Sequence, residues 1–326
     1  MSGEGHPIFV EELERFAAVV SDPRCTAIAR RLAAPLRVAV SGRRGVGRRT
    51  VAHALAQAGN LRGTITLTTS SAADVDLYVV ADAVKPEDRA AIGAARRPLL
   101  AVLNKADLIA TTESGCHPHG PTSAARARCV QLSAHAGTSI GPVVGILAVD
   151  GLDDALWSAL RALAGGHPVD AELRRRLMDT LDEFGVAQAT AAIRRGATRA
   201  EVVALLRSLS CIDEVVDKIE ALGAPVRYQR VLDAVAELET LAVTDRRIRE
   251  FLSCDDTVVA RMMAAVDVVE AVGMDVDRGD TAAVHLRRAV YWQRYRRGPV
   301  AATHRACGAD IVRGSLRLWA KVGGAV

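Results

Sequence analysis

The sequence predicts an α/β protein with a doubly wound, mainly parallel sheet, followed by an all-α helical domain. Three observations carry that expectation. Five short apolar runs of strand length alternate with helical patterns between residues 36 and 165. Beyond Gly165 the strand signals stop and helix follows helix. Half of the residues are hydrophobic but only 3% are aromatic, so the core is built from Ala, Val and Leu, as in helices and parallel strands rather than an aromatic-rich sandwich. At roughly 150 residues per domain, 326 residues make about two domains.

The elements follow in order. An N-terminal helical segment covers 1–35: Phe9, Leu13, Phe16, Ala17 and Val20 recur at helical spacing, and Asp22-Pro23 marks a break before a second helical stretch over 26–32. Pro35 introduces a strand over 36–40, then a glycine-rich turn over 42–47 and a helix over about 49–58. Further strands are expected over 64–68, 76–80, 99–103 and 129–132, with a helix over 85–96 opened by Pro86 and Glu87 and another over 152–163. Residues 111–125 are rich in Thr, Ser, Gly and Pro and read as a loop. The domain that begins at 36 is placed as ending near 165. In the helical domain over 166–326, Thr198-Arg199-Ala200-Glu201 is a capping box, Leu222-Gly223-Ala224-Pro225 separates two helices, and Gly273 and Gly298 end two more. About seven helices fit 169–322.

Charge and cysteine usage narrow the class. Lys plus Arg number 42 against 38 Asp plus Glu, and an excess of +4 is too small to name a nucleic acid as partner. Only Lys85, Lys105, Lys218 and Lys321 are lysines, so nearly all basic residues are arginines. Cys25, Cys116, Cys129, Cys211, Cys254 and Cys307 form no C-x-x-C pair, which fits reduced thiols in a cytoplasmic protein. The first 15 residues do not read as a signal peptide, and no run approaches the ~18 apolar residues of a membrane span.

Ser41-Gly42-Arg43-Arg44-Gly45-Val46-Gly47-Arg48-Arg49-Thr50 lies between an expected strand and an expected helix. That is the context in which G-x-x-x-x-G-K-[ST] cradles phosphate on backbone N–H groups and a helix N-terminus. Gly42 and Gly47 have the required separation, but Arg48 stands at the lysine position and Arg49 at the Mg²⁺-ligand position. A guanidinium neutralises phosphate yet offers no lone pair to a cation, so the loop is expected to hold phosphates with Mg²⁺ in doubt.

Asn104-Lys105-Ala106-Asp107 ends the apolar run over 99–103. Here the chain resembles the translation-factor-related class of P-loop GTPases, whose guanine-binding motif is N-K-x-D at the end of a strand. The chemistry suits guanine, since a carboxylate accepts from both N1–H and the exocyclic amine, which adenine does not offer. In that family Ser133-Ala134-His135 would correspond to the S-A-[KL] loop, whose backbone N–H meets guanine O6, and Asp76 to Ala83 to the strand before N-K-x-D. The resemblance covers about residues 36–164 and implies a P-loop NTPase-like fold. It also implies a site for GTP or GDP made by Gly42 to Thr50, Asn104, Lys105, Asp107 and Ser133 to His135.

Other family features are missing. No D-x-x-G switch lies between Gly59 and Asp76, and hydroxyls over 63–69 sit on a strand pattern. Hydrolysis in these enzymes needs Mg²⁺ and an oriented water, so GTP turnover is expected to be weak or absent and no catalytic residue is assigned. The resulting expectation is a guanine-nucleotide-binding, GTPase-like regulator or scaffold with a protein partner, either a related GTPase or a second copy. Two alternatives stand beside it: a pseudo-GTPase that binds no nucleotide and pairs with an intact GTPase, and a true GTPase completed by a partner. The helix before the first strand, together with later helices, resembles at the level of fold the flanking helices of dynamin-like GTPases.

Two lesser features remain. Cys116, His117, His119 and Cys129 match no zinc spacing, so no metal site is expected. Arg287, Arg288, Arg294, Arg296 and Arg297 interleave with Tyr291, Trp292 and Tyr295. Such a stretch either packs as a helix with its charges in water or meets a membrane surface or RNA.

Overall fold

The computed structural model describes residues 5–109 and 121–323, which form two compact units, Met1–Pro35 with Glu220–Val326 and Leu36–Ile219. The chain opens on α1 (Gly5–Val20) and α2 (Pro23–Leu32). The break between them is the expected one: Asp22 caps α2 by accepting from the Arg24 N–H, and Pro23 occupies the first turn.

The second unit holds the sheet. Strands β1 (Leu36–Gly42), β2 (Ile65–Leu67), β3 (Val75–Val80), β4 (Leu99–Leu103) and β5 (Ile140–Pro142) lie in the order β2-β1-β3-β4-β5. Every pairing is parallel. Helices α3 (Arg48–Arg62), α4 (Pro86–Gly93), α5 (Pro121–Ala136) and α6 (Asp154–Ala164) separate or follow the strands. β3 and β4 are buried along nearly their whole length, as strands covered on both faces must be. The chain moves from β1 to one neighbour at β2 and to the other at β3. In such sheets the crevice at the carboxyl ends of the diverging strands is where ligands bind. Helices α7 (Ala171–Arg194) and α8 (Arg199–Ser210) also belong to this unit, and Thr198 and Glu201 form the expected capping box. α7 is broken at Asp182, whose φ of 59° and ψ of 176° are not helical.

Three expectations are corrected. Residues 129–132 are not a strand but lie in α5, and residues 121–125 of the expected loop open that helix. Cys129 and Leu132 are buried while Val130 is exposed, a spacing of three that a helix buries and an alternating strand does not. The fifth strand is instead the short Ile140–Pro142. The rest of that loop, with Cys116, His117 and His119, lies outside the described residues. Likewise, Leu222 to Pro225 does not divide two helices, because α9 (Ile212–Ala242) runs through Pro225. Ala224, Tyr228, Val231, Val235 and Leu238 form one buried stripe on it, and that packing outweighs the lost hydrogen bond at proline.

The first unit is otherwise helical, with α10 (Arg246–Ser253), α11 (Asp255–Ala271), α12 (Ala282–Arg297) and α13 (Ala302–Lys321). Its core gathers Phe9, Leu13, Leu32, Tyr228, Trp292 and Ile311. Asp267 on α11 accepts from the free N–H groups of Gly5 at 2.9 Å and His6 at 3.2 Å, which caps α1 from 262 residues away. On α12, Arg288 and Trp292 face inward while Leu286, Arg287, Val290, Tyr291 and Arg294 are exposed. Among the described residues no helix is long and apolar enough to cross a membrane.

Candidate functional site

The loop between β1 and α3 turns on glycine. Gly42, Gly45 and Gly47 have φ of 139°, 85° and 85°, the region L-residues rarely adopt. No side chain caps the first turn of α3, so the N–H groups of Arg48, Arg49 and Thr50 point to the loop side without helical partners. Arg44, Arg48, Arg49 and Thr50 are exposed, Val46 is buried beneath them, and no carboxylate among the described residues pairs with the three arginines. An uncapped helix N-terminus among exposed guanidinium groups carries a local positive potential.

Arg43 is used differently. Its Nε lies 2.8 and 2.9 Å from the two carboxylate oxygens of Asp88, which is wholly buried. Asp88 also accepts from the Tyr78 hydroxyl at 2.9 Å and from the Lys85 N–H at 2.8 Å. Burial would raise the Asp88 carboxyl, but these donors, Arg43 foremost, hold it below its ordinary value. Burial first, then the bond to Asp88, pushes the Tyr78 phenol up to about 12. Arg43 therefore anchors the loop to α4 instead of facing a ligand.

Asn104, 4% exposed, sits where β4 ends. Its Nδ2 donates to the Val46 carbonyl at 3.0 Å, and its Oδ1 accepts from the Gly145 N–H at 3.1 Å. One carboxamide thus ties the β1–α3 loop to the turn Gly145–Leu147 that follows β5. Lys105 is exposed at φ 58°, a strained position for a residue with a side chain. Asp107 follows, 8% exposed, and among the described residues its carboxylate accepts only from its own backbone N–H. Burial pushes its carboxyl above the ordinary value, and the charge of Asp182 adds to the push. A pocket lined by Asp107, Val144, Phe184, Leu209 and Cys211 adjoins it, with a cavity of about 10 Å³, the room of one water.

The other expected site residues lie elsewhere. Ser133, Ala134 and His135 are in the last turns of α5, not in a loop, so their N–H groups belong to the helix. The Ser133 hydroxyl donates to the Cys129 carbonyl at 2.6 Å and accepts from the Ile140 N–H at 2.9 Å, and the His135 ring meets the Gln131 carbonyl. The segment that adjoins Asn104 is Val144 and Gly145. Sequence reading missed it because a three-residue strand containing Gly141 and Pro142 has no alternation to detect. Asp88, Tyr78, Asp182 and Phe184 were also missed. Only Asp88 carried a signal, as a carboxylate in the first turn of a helix opened by Pro86.

The arrangement presents an uncapped helix N-terminus with exposed arginines at one end and a buried carboxylate acceptor at the other. Among the described residues no cluster of His, Cys, Asp or Glu is placed to hold a metal ion. Comparison of the sequence with models of known families and with curated proteins finds no match.

Proposed function

We propose that the protein binds a guanine nucleotide, GTP or GDP, at the carboxyl edge of β1, β3 and β4, and turns it over slowly or not at all. The observation that carries the reading is the Asn104 clamp beside the glycine loop, with the Asp107 carboxylate, which accepts from no other residue among those described, on the same edge of the sheet. On this reading the fold is that of a P-loop NTPase. The N–H groups of Gly45 to Thr50 and the Arg44, Arg48 and Arg49 side chains take the phosphates, the Lys105 stem covers the purine face, and Asp107 takes guanine N1–H and the exocyclic amine. Val144 and Gly145 replace Ser133 to His135 beside the base.

Hydrolysis lacks its supports. Arg49 gives Mg²⁺ no ligand, and β2 ends at Leu67 and is followed by Thr68 and Thr69 rather than a carboxylate. The nucleotide then serves as a structural or regulatory ligand of a cytoplasmic protein that acts on a protein partner. Titration of fluorescent GDP and GTP, with and without Mg²⁺, tests this against Asp107→Ala. The expected result is guanine preference over adenine, weak Mg²⁺ dependence and little discrimination of the γ-phosphate. Mg²⁺-dependent multiple turnover would overturn the slow-hydrolysis half of the reading.

A second reading, a pseudo-GTPase scaffold without nucleotide, is favoured by one observation. The pocket beside Asp107 has room for only a single water, so a purine enters there only if Phe184 or its neighbours on α7 and α8 move. Absence of binding at millimolar nucleotide would establish that reading.

A further inference from the structure

A cavity of about 250 Å³ lies among α11, α12, α13 and the loop that joins α11 to α12. Its apolar wall includes Val259, Met262, Val266 and Leu318; its polar lining is Arg278 and Asp280 on the loop and His285 and Arg288 on α12. Both α12 side chains are deeply buried. Arg288 donates from Nε to the Ser315 hydroxyl at 2.8 Å, from Nη1 to the Asp277 carbonyl at 2.7 Å, and from Nη2 to His285 Nδ1 at 2.8 Å. All three acceptors are neutral, and among the described residues no carboxylate hydrogen-bonds this guanidinium. Its charge is felt only at a distance by Asp277 and Asp280.

The Arg288 contact also decides the histidine tautomer. A guanidinium only donates, so Nδ1 of His285 accepts and the ring proton sits on Nε2. That N–H has no hydrogen-bond partner although the ring is 1% exposed. Asp280 Oδ1 stands 3.2 Å away but off hydrogen-bonding geometry, on a side chain that is 92% exposed. An orphaned buried donor costs free energy, and so does a buried cation without a counter-ion. Both costs are relieved by the same guest.

We infer that this cavity binds a small aliphatic carboxylate, with its head group on His285 Nε2–H beside Arg288 and its tail along Val259, Met262, Val266 and Leu318. A cavity of this size, open at its mouth, suits an acid with a short alkyl tail. The exposed Asp280 carboxylate sits at the rim and opposes the guest's charge. The inference is independent of nucleotide binding, since every residue it uses lies between Val259 and Leu318.

Isothermal titration of the full chain with octanoate, octanol and octylamine tests it. Octanoate is expected to bind saturably and at least tenfold more tightly than either comparator, because they have the tail without the negative head group. His285→Leu, with folding checked by circular dichroism, should weaken octanoate at least tenfold. His285→Gln, which keeps an N–H donor, should stay within about threefold of the unaltered protein. Asp280→Asn, at an exposed position, should tighten binding two- to fivefold. Equal binding of all three compounds, or none up to about 10 mM octanoate, would overturn the inference on the unaltered protein alone. Unchanged octanoate binding in a folded His285→Leu variant would overturn the placement of the head group.

Discussion

The carboxamide of Asn104 occupies the space that a side chain at Gly47 would need: a Cβ there would stand 2.2 Å from Asn104 Nδ2. With φ at 85°, Gly47 is also in a conformation that L-residues resist. Gly47→Ala must therefore break the Asn104–Val46 bond or distort the loop. The expected loss is about 2–3 kcal/mol, from a left-handed residue at roughly 1–2 kcal/mol plus one buried hydrogen bond. Urea denaturation measures it. If Asn104 positions the nucleotide site, the variant also loses guanine-nucleotide binding at a temperature where it remains folded.

Asp107 and Asp88 are buried carboxylates with opposite signatures. Burial raises Asp107 above its ordinary value and few donors offset it. Its ionised form is therefore a penalty to folding, in force at neutral pH and lifted as pH falls toward 3.8. Asp107→Asn is expected to raise stability at pH 7 by about 1 kcal/mol, the low end for removing a poorly satisfied buried charge, and, if the protein binds guanine nucleotide as proposed, to abolish the preference for guanine. The stability gain should shrink in acid. A loss of stability at pH 7 would mean that its bond to its own backbone N–H outweighs the cost of burial.

For Asp88 the sign reverses. Its folded value is lowered, so its contribution is present above 3.8 and is lost as pH falls through the folded value. Asp88→Asn removes the partner of Arg43, which is 23% exposed and keeps some access to water. The expected cost is about 3 kcal/mol at pH 7, the low end for breaking a buried ion pair. Thermal unfolding at several pH values checks it, and the variant's deficit should narrow at acid pH.

Phe184 decides between the two readings of the site. It lines the pocket beside Asp107 from just past the break at Asp182. Phe184→Ala enlarges that space, and for a partly exposed aromatic the expected cost is about 2 kcal/mol, less than for a fully buried one. If the base enters here, GDP affinity rises fivefold or more, as fluorescence titration would report. Unchanged affinity in a folded variant would place the base elsewhere or leave the scaffold reading standing.

The sheet was legible wherever its strands were long and apolar. β4 falls where the sequence reading put it, and β1 and β3 differ from it by a residue or two at their ends. The glycine loop and N-K-x-D were legible because each is a local pattern at a strand end. What failed was non-local. The run over 129–132 is short enough to fit either period, and only its packing, with Val130 outward, makes it helix. The tie from Asn104 to Gly145 spans 41 residues and the closure by Phe184 spans 77 from Asp107, and neither leaves a trace in local spacing. The orphaned N–H of His285 likewise exists only once α12 is buried.

Pro225 shows the same override in a form that can be measured. It sits inside α9, where it can donate no N–H to the helix and its ring crowds the preceding turn. A proline in a helix interior costs about 3 kcal/mol relative to alanine. The buried stripe through Ala224, Tyr228 and Val231 holds the helix together across it. If that packing offsets a real penalty, Pro225→Ala should stabilise the protein by about 1–3 kcal/mol in urea, the shortfall from the full figure reflecting the extra freedom alanine gives the unfolded chain. Destabilisation would mean instead that the helix is bent at this point and that its neighbours have packed around the bend.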